Sequence, residues 1–266
     1  MTQATRKILV LVPFPMTPDQ LAKRAEQQEE VVLPSTIELH YRSTRAAPSN
    51  YVSAHDYVLA DLTLLEAGMR AEDEGYDAVC IDTVSDSGVA ALRSLLTIPV
   101  IAPGKTMFLT ALMLGRRFGI LSMWQRWSGL YERTLRELAM EDRCAGIRSI
   151  DTQPDSRNLF EGKEDDVLPR LGEAALQLVE QDGADVICLG STTMHQAHGY
   201  LSERLTVPVL NPGPLSYLTA DTMLALGLTH SRKAYPQPLV SKQQMISAML
   251  DAVAETEAPS EIEGTP

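Results

Sequence analysis

The chain has 266 residues, of which 44% are hydrophobic and 22% charged, a mixture typical of a globular protein with one or two packed cores. Asp and Glu number 35 against 23 Lys and Arg, a formal charge of −12 that argues against nucleic-acid and membrane-surface partners. No stretch approaches the roughly 20 apolar residues of a membrane span, so we expect a cytoplasmic protein. The odd count of three cysteines, with no CxxC pair, argues against a disulfide scaffold or a structural zinc site.

Strands and helices alternate along the sequence and predict an α/β fold. The apolar run at 7–13 is typical of a strand buried in a parallel sheet. We predict the following helices from the helical spacing of apolar residues, and their ends from glycines and turn residues. The predicted elements are a strand at 7–13, a helix at 59–74, a strand at 75–83, a helix at 88–96 and a strand running into a turn at 97–104.

The same pattern recurs about 108 residues later. Segment 183–191 repeats the Gly, Asp and Cys of 75–83 at an offset of 108, and segment 206–213 repeats 97–104 at an offset of 109. Two matching blocks at nearly constant offset indicate an internal duplication. We predict two pseudo-symmetric flavodoxin-like domains, each with a parallel sheet of about four strands, and a cleft between them. The predicted domains are 1–105 plus 216–250, and 106–215, followed by an acidic flexible tail at 251–266.

Two polar loops follow the repeated strands, at 82–88 and 190–195. Loops at the carboxyl ends of parallel strands are where such sheets bind ligands. Both loops offer hydroxyls and backbone N–H groups but little positive charge, which favours a carboxylate or carbonyl oxygen over a nucleotide. The sequence contains neither a GxGxxG nor a GxxxxGK[ST] string, and its histidines form no HxH or HExxH spacing. We therefore predict no nucleotide cofactor and no metal.

Several blocks resemble the aspartate/glutamate/hydantoin racemase superfamily, most closely its hydantoin and allantoin racemase branch. The resemblance is carried by AVCIDTVSDSG at 78–88, IPVI at 98–101, DVICLGS at 185–191, VPV at 207–209 and LGLTHSRK at 226–233. It implies paired α/β domains, a small-molecule substrate, no cofactor, and chemistry at a carbon beside a carbonyl group. We also expect a homo-oligomer.

The resemblance further implies one cysteine at the end of each homologous strand, where the two thiols exchange a proton on opposite faces of the substrate. The matching positions here carry Thr83 and Ser191. A hydroxyl has a pKa far above the value of ~8.5 for a thiol, so we do not expect ordinary two-thiol racemisation. Cys80 and Cys188 lie three residues earlier within apolar strands, and we interpret them, together with Cys144, as packing residues rather than catalysts.

The candidate site residues follow strand ends. Thr83, Ser191 and His195 are the candidate catalytic residues, although helix capping is the alternative for the hydroxyls and a surface role for the histidine. Asp82 is interpreted as a solvated turn residue in preference to a base for a hydroxyl. Arg42 either binds a carboxylate bidentately or forms an exposed salt bridge. The candidate substrate-binding residues are Pro13, Val84, Ser85, Thr192, Thr193 and Arg42.

Three functions stay open at this point. The first is a cofactor-independent enzyme that acts beside a carbonyl of a small carboxylate, hydantoin or cyclic amide and has diverged from true racemases. The second is a hydrolase or lyase with Ser191 as nucleophile; arylmalonate decarboxylase, in the same superfamily, dispenses with one thiol. The third is a non-catalytic protein that binds a small anion.

Overall fold

The computed structural model describes residues 5–26, 31–153 and 164–254. Within these residues the chain forms eight strands and nine α-helices. The strands are β1 (Arg6–Val12), β2 (Ile37–Ser43), β3 (Ala78–Ile81), β4 (Val100–Ile101), β5 (Phe118–Ser122), β6 (Cys144–Ser149), β7 (Val186–Leu189) and β8 (Val209–Leu210). The helices are α1 (Pro18–Glu26), α2 (Ala54–Gly68), α3 (Val89–Leu95), α4 (Pro103–Leu114), α5 (Ser128–Leu138), α6 (Glu164–Glu180), α7 (His195–Ser202), α8 (Pro212–Ala225) and α9 (Gln243–Ala254).

The strands form two parallel four-stranded sheets with the same topology, ordered β2-β1-β3-β4 and β6-β5-β7-β8. The register of the central pairs is also the same, since Ile8 pairs with Ala78 in the first sheet and Phe118 with Val186 in the second. The predictions of an α/β fold, of two parallel sheets of about four strands and of an internal duplication are therefore confirmed.

The recurring Gly-x-Asp block has a common local structure in both halves. Gly75 and Gly183 turn the chain with φ values of +85° and +76°, a conformation that glycine adopts without steric cost. The following aspartates then bond to the start of the neighbouring strand: Asp77 accepts an N–H at 2.7 Å, and Asp185 accepts two at 2.8 and 3.1 Å. These backbone bonds lower the pKa of Asp185. The block recurs because it positions β3 and β7 against their central strands.

The chain divides into two compact units. The first comprises Met1–Asp82, Ser87–Ile101 and Tyr217–Pro266, and the second comprises Thr83–Asp86 and Ala102–Ser216. The division differs from the predicted boundaries because the short segment 83–86 and residues 102–105 both belong to the second unit. The physical reason is a set of hydrogen bonds that joins this segment to the start of α4, described below.

Two helices begin where the sequence analysis did not place them. Helix α2 starts at Ala54 because Ser53 and Asp56 form a capping box, in which each side chain accepts the other residue's backbone N–H. It ends at Gly68, six residues before the predicted end. The predicted turn at 103–104 is the first turn of α4, where Pro103 occupies a position that needs no N–H donor.

The predicted tail boundary at residue 251 is wrong, because α9 continues to Ala254. Asp251 lies in this last part of the helix and forms an ion pair with Arg45. The rest of the predicted tail, 255–266, lies outside the described residues.

One cluster of the first unit's core lies between its sheet and α8. Ile8, Val10 and Cys80 are buried against Tyr217 and Ala220 of that helix. No helix in the described part of the chain is long and apolar enough to cross a membrane.

Candidate functional site

The two polar loops start at equivalent places, because β3 ends at Ile81 and β7 at Leu189. Two residues beyond each strand end lies a partly exposed hydroxyl residue, Thr83 in one loop and Ser191 in the other. Thr83 and Ser191 both belong to the second unit.

Each hydroxyl is paired with a second hydroxyl two residues later. Thr83 Oγ1 lies 3.2 Å from Ser85 Oγ and accepts the Ser85 N–H at 3.4 Å. Ser191 Oγ lies 2.7 Å from Thr193 Oγ1 and accepts the Thr193 N–H at 3.2 Å. We call Thr83/Ser85 and Ser191/Thr193 the hydroxyl pairs. Side-chain bonds of this kind stabilise turns and caps, and Ser191 makes the cap contact that was the alternative to a catalytic role; the catalytic role stays a prediction. The same pairs concentrate four hydroxyls at equivalent strand ends.

The first loop is fastened to α4 through Asp86. This residue has a left-handed φ of +56°, and its carboxylate accepts the N–H groups of Gly104 at 2.7 Å and Lys105 at 2.9 Å. A carboxylate at a helix N-terminus is stabilised by the unpaired N–H groups and the helix dipole. A Cβ at Gly104 would lie only 2.4 Å from the Val84 carbonyl oxygen, so the loop and the helix are in close backbone contact.

Replacing Asp86 by alanine should lower the free energy of unfolding by about 1–2 kcal/mol, because two helix N–H groups lose their acceptor. Asp86→Asn should lose less, since an amide oxygen still accepts a hydrogen bond and asparagine tolerates the left-handed conformation. Urea denaturation of the two variants measures both effects. An unchanged midpoint for Asp86→Ala would contradict the capping role.

Helix α5 contacts both loops. The Tyr131 hydroxyl donates to the Gly190 carbonyl at 2.9 Å, and Arg133 Nη2 donates to the Ser85 carbonyl at 2.6 Å. Position 190 must be glycine, because a Cβ there would lie 2.4 Å from the Tyr131 hydroxyl. Tyr131 and Arg133 therefore position the two loops. The sequence analysis missed them because they belong to no recognised motif.

Asp82, the last residue before the first hydroxyl pair, forms a buried ion pair with Arg24 at 2.6 Å. Their side chains are only 3% and 5% exposed. Burial alone would lower the pKa of Arg24, but the Asp82 carboxylate outweighs it and the net pKa is raised. Two buried tyrosines, Tyr41 and Tyr217, feel the charges of this ion pair. Their hydroxyls lie 3.1 Å apart, and burial raises the pKa of both. The interpretation of Asp82 as a solvated turn residue is wrong, because Asp82 is held in the protein interior by Arg24.

None of the three cysteines is a base near neutral pH. Cys80 and Cys188 are fully buried within β3 and β7, and burial raises the pKa of both thiols far above the ordinary range. Cys144 is partly buried, and burial raises its pKa to about 11. The interpretation of Cys80 and Cys188 as buried packing residues is confirmed.

This arrangement predicts a pattern of thiol alkylation. In the native protein at pH 8, iodoacetamide should leave Cys80 and Cys188 unmodified and modify Cys144 slowly, because only the thiolate reacts. The rate at Cys144 should rise about tenfold for each pH unit up to about 11. Peptide mass spectrometry measures each site, with protein unfolded in urea as the control. Fast modification of Cys188 in the native state would contradict the burial.

The other predicted site residues include one buried proline, one partly exposed histidine and one arginine in a salt bridge. Pro13 is buried directly after β1, and His195 is the partly exposed first residue of α7. The Arg42 guanidinium donates to the Ala67 carbonyl at 2.9 Å and pairs with Glu74 at 2.5 Å, so the salt bridge is the arrangement observed. Substrate contact by Pro13, Val84, Thr192 and Arg42 stays a prediction. In the described ranges no cluster of three or more His, Cys, Asp or Glu side chains is arranged to hold a metal.

Comparisons with known proteins agree on one family. A family model described as Asp/Glu/Hydantoin racemase matches residues 17–216. A hydantoin racemase of Pseudomonas sp. (strain NS671) is 26% identical over 88% of this chain and 93% of its own length. A hydantoin racemase of Paenarthrobacter aurescens is 28% identical over 83% of this chain and 92% of its own. The solved structure of allantoin racemase from Klebsiella pneumoniae superposes with a TM-score of 0.80 at 23% identity and covers 91% of this chain and 99% of that one.

Proposed function

Because the chain belongs to the Asp/Glu/hydantoin racemase family, we propose that it is a cofactor-independent enzyme acting on the carbon beside a carbonyl of a small carboxylate, hydantoin or cyclic amide. The relatives named hydantoin racemase support the ring substrates, since each aligns over more than four-fifths of this chain. Cytoplasmic location and homo-oligomeric assembly stay predictions.

The hydroxyl pairs support chemistry at a carbonyl. When a carbon beside a carbonyl loses a proton or a substituent, negative charge develops on the carbonyl oxygen, and preorganised hydrogen-bond donors stabilise it. Thr83 and Ser191 are partly exposed hydroxyl residues whose loops are held by Asp86 and by α5. We assign them to substrate oxygens.

We propose that this protein has diverged from true racemases, and the main support is the burial and raised pKa of its thiols. A racemase of the two-thiol type needs a thiolate on one side of the substrate carbon to remove the proton and a thiol on the other side to supply one. Here the three thiols have raised pKa values, and Thr83 and Ser191 follow the strand ends instead. We propose that any proton transfer does not use the thiols of this chain.

The alternative of a Ser191 nucleophile receives no support. A nucleophilic serine needs a general base within hydrogen-bonding distance of its Oγ. Within the described part of the chain, the atoms that bond Ser191 Oγ belong to Thr193, one a hydroxyl and the other a backbone N–H. Neither can take the serine proton.

The test is ligand binding and turnover with a panel of 5-substituted hydantoins, allantoin, aspartate and glutamate. We expect wild-type protein to bind one of these classes, and Ser191→Ala and Thr83→Val each to lower kcat/KM by at least tenfold. Ser53→Ala is the matched control, because Ser53 also caps a helix and should cost ~1 kcal/mol of stability without loss of activity. Ser191→Ala behaving like Ser53→Ala would limit Ser191 to capping, and a protein that binds none of the panel would overturn the proposed function.

A further inference from the structure

The buried polar atoms without a hydrogen-bond partner belong to residues that follow strands in the sequence. Within the described ranges they are Thr44 Oγ1, Tyr51 OH, Trp127 Nε1 and Asn211 Oδ1. Thr44 and Tyr51 lie in the connection after β2, Trp127 in the connection after β5, and Asn211 directly after β8. All four follow the carboxyl end of a strand, where open α/β sheets bind ligands. Native proteins leave few buried polar atoms unpaired, so each needs a physical explanation.

The sequence around Asn211 explains why its side chain has no local partner. An asparagine before a helix normally accepts the N–H of the second or third helical residue. Helix α8 begins Pro212-Gly213-Pro214, so the third residue has no N–H to offer and only the Gly213 N–H is left, which Oδ1 does not accept. Asn211 is 8% exposed, and its Oδ1 is buried without a bond.

The first half of the chain provides an internal comparison. Ala102 follows β4 as Asn211 follows β8, and both precede a Pro-Gly pair that starts a helix. Ala102 makes no side-chain cap bond to α4, and the Asp86 carboxylate accepts the first N–H groups of that helix instead. Asn211 Oδ1 makes no such bond to α8, so the Asn211 amide oxygen does not act as a helix cap.

Asn211 lies next to the second hydroxyl pair. Strand β8 pairs with β7, with Leu210 opposite Cys188, and neighbouring strands are about 4.8 Å apart. The residue after Leu210 is thus close to the loop that carries Ser191. Rotation about χ2 of an asparagine is broad and inexpensive, so the amide oxygen can turn toward a ligand at this edge.

We propose that Asn211 is a specificity-determining residue whose side-chain oxygen accepts an N–H of the substrate. This inference rests on the proposed function and narrows it to substrates with an amide-type N–H. A carboxylate has no proton to donate to Oδ1, and the ammonium group of an amino acid would bring a charge to a buried neutral acceptor. A site built around an unpaired acceptor rejects analogues that lack the donor, since the acceptor then stays unpaired.

The test compares calorimetric binding of 5-methylhydantoin and its 1-methyl and 3-methyl derivatives to wild type, Asn211→Ala and Asn211→Asp. Wild type should bind one of the two N-methyl derivatives about 10²-fold more weakly than the parent. Asn211→Ala should lose most of the affinity for the parent and discriminate at least tenfold less. Asn211→Asp keeps an acceptor and should retain the preference. Thermal melting should show Asn211→Ala to be at least as stable as wild type, because it removes an unpaired buried group.

The possible outcomes separate this inference from the proposed function. Equal binding of all three rings by wild type, or binding of aspartate or glutamate alone, would overturn the role of Asn211 and leave the proposed function intact. A clear loss of stability in Asn211→Ala would show that the amide has structural partners and would also overturn it. Absence of binding to every ring and every carboxylate would overturn the proposed function and the inference with it.

Discussion

The double substitution Thr83→Cys with Ser191→Cys is expected to raise the rate of α-proton exchange of a bound 5-substituted hydantoin by about 10²–10⁴-fold, the usual contribution of a positioned acid or base. The physical reason is the pKa: a partly exposed thiol ionises near 8.5, whereas a hydroxyl does not ionise in the accessible range. Proton NMR in D₂O follows the loss of the α-proton signal for each enantiomer.

The single variants are the controls for this experiment. Because we propose that Thr83 and Ser191 lie on opposite sides of the reacting carbon, Thr83→Cys and Ser191→Cys should each favour exchange of one enantiomer, while the double variant also interconverts the two. Unchanged exchange in the double variant, with ligand binding retained, would show that these positions do not face the reacting carbon.

Removing Arg24 is expected to produce the largest loss of stability. Arg24→Ala removes the ion-pair partner of the buried Asp82 carboxylate, which should lower the free energy of unfolding by about 3–5 kcal/mol. Arg24→Met with Asp82→Leu removes both charges and should recover most of the loss, because an apolar pair of similar size carries no desolvation penalty. Urea denaturation with circular dichroism measures the three proteins.

Arg42 and Glu74 supply the matched control, because their side chains are 33% and 37% exposed. Arg42→Ala should cost less than about 1 kcal/mol, since solvent screens an exposed ion pair. Equal losses for Arg24→Ala and Arg42→Ala would contradict the importance of burial.

The repeat in the sequence was sufficient to predict the duplicated architecture. Glycine at positive φ and an aspartate that bonds backbone N–H groups are strictly local requirements, so Gly75 and Asp77 recur visibly as Gly183 and Asp185. Element boundaries were less predictable. The start of α2 depends on the Ser53 capping box, whose residues precede the apolar pattern used to predict the helix.

The positions of Thr83 and Ser191 at strand ends were also predictable, because they follow apolar runs at a constant offset. The contacts that hold their loops were not. Asp86 reaches a helix 18 residues later, and Tyr131 reaches Gly190 from 59 residues earlier. Arg24 pairs with Asp82 although 58 residues separate them in the sequence. The local sequence around Asp82 therefore predicted a surface turn residue. Such contacts depend on how helices and strands pack together, and local sequence patterns do not predict them.

The central claim, a racemase-family site that does not use thiols, is tested most directly by deuterium exchange with the wild-type enzyme. A 5-substituted hydantoin shown to bind the protein is incubated in D₂O, and the α-proton is followed with native protein and with a Cys80→Ala, Cys144→Ala, Cys188→Ala triple variant. We predict slow exchange by wild type relative to the Thr83→Cys, Ser191→Cys protein, and the same slow rate in the triple variant. Rapid wild-type exchange that disappears in the triple variant would contradict the claim, because it would show that a thiol of this chain removes the proton.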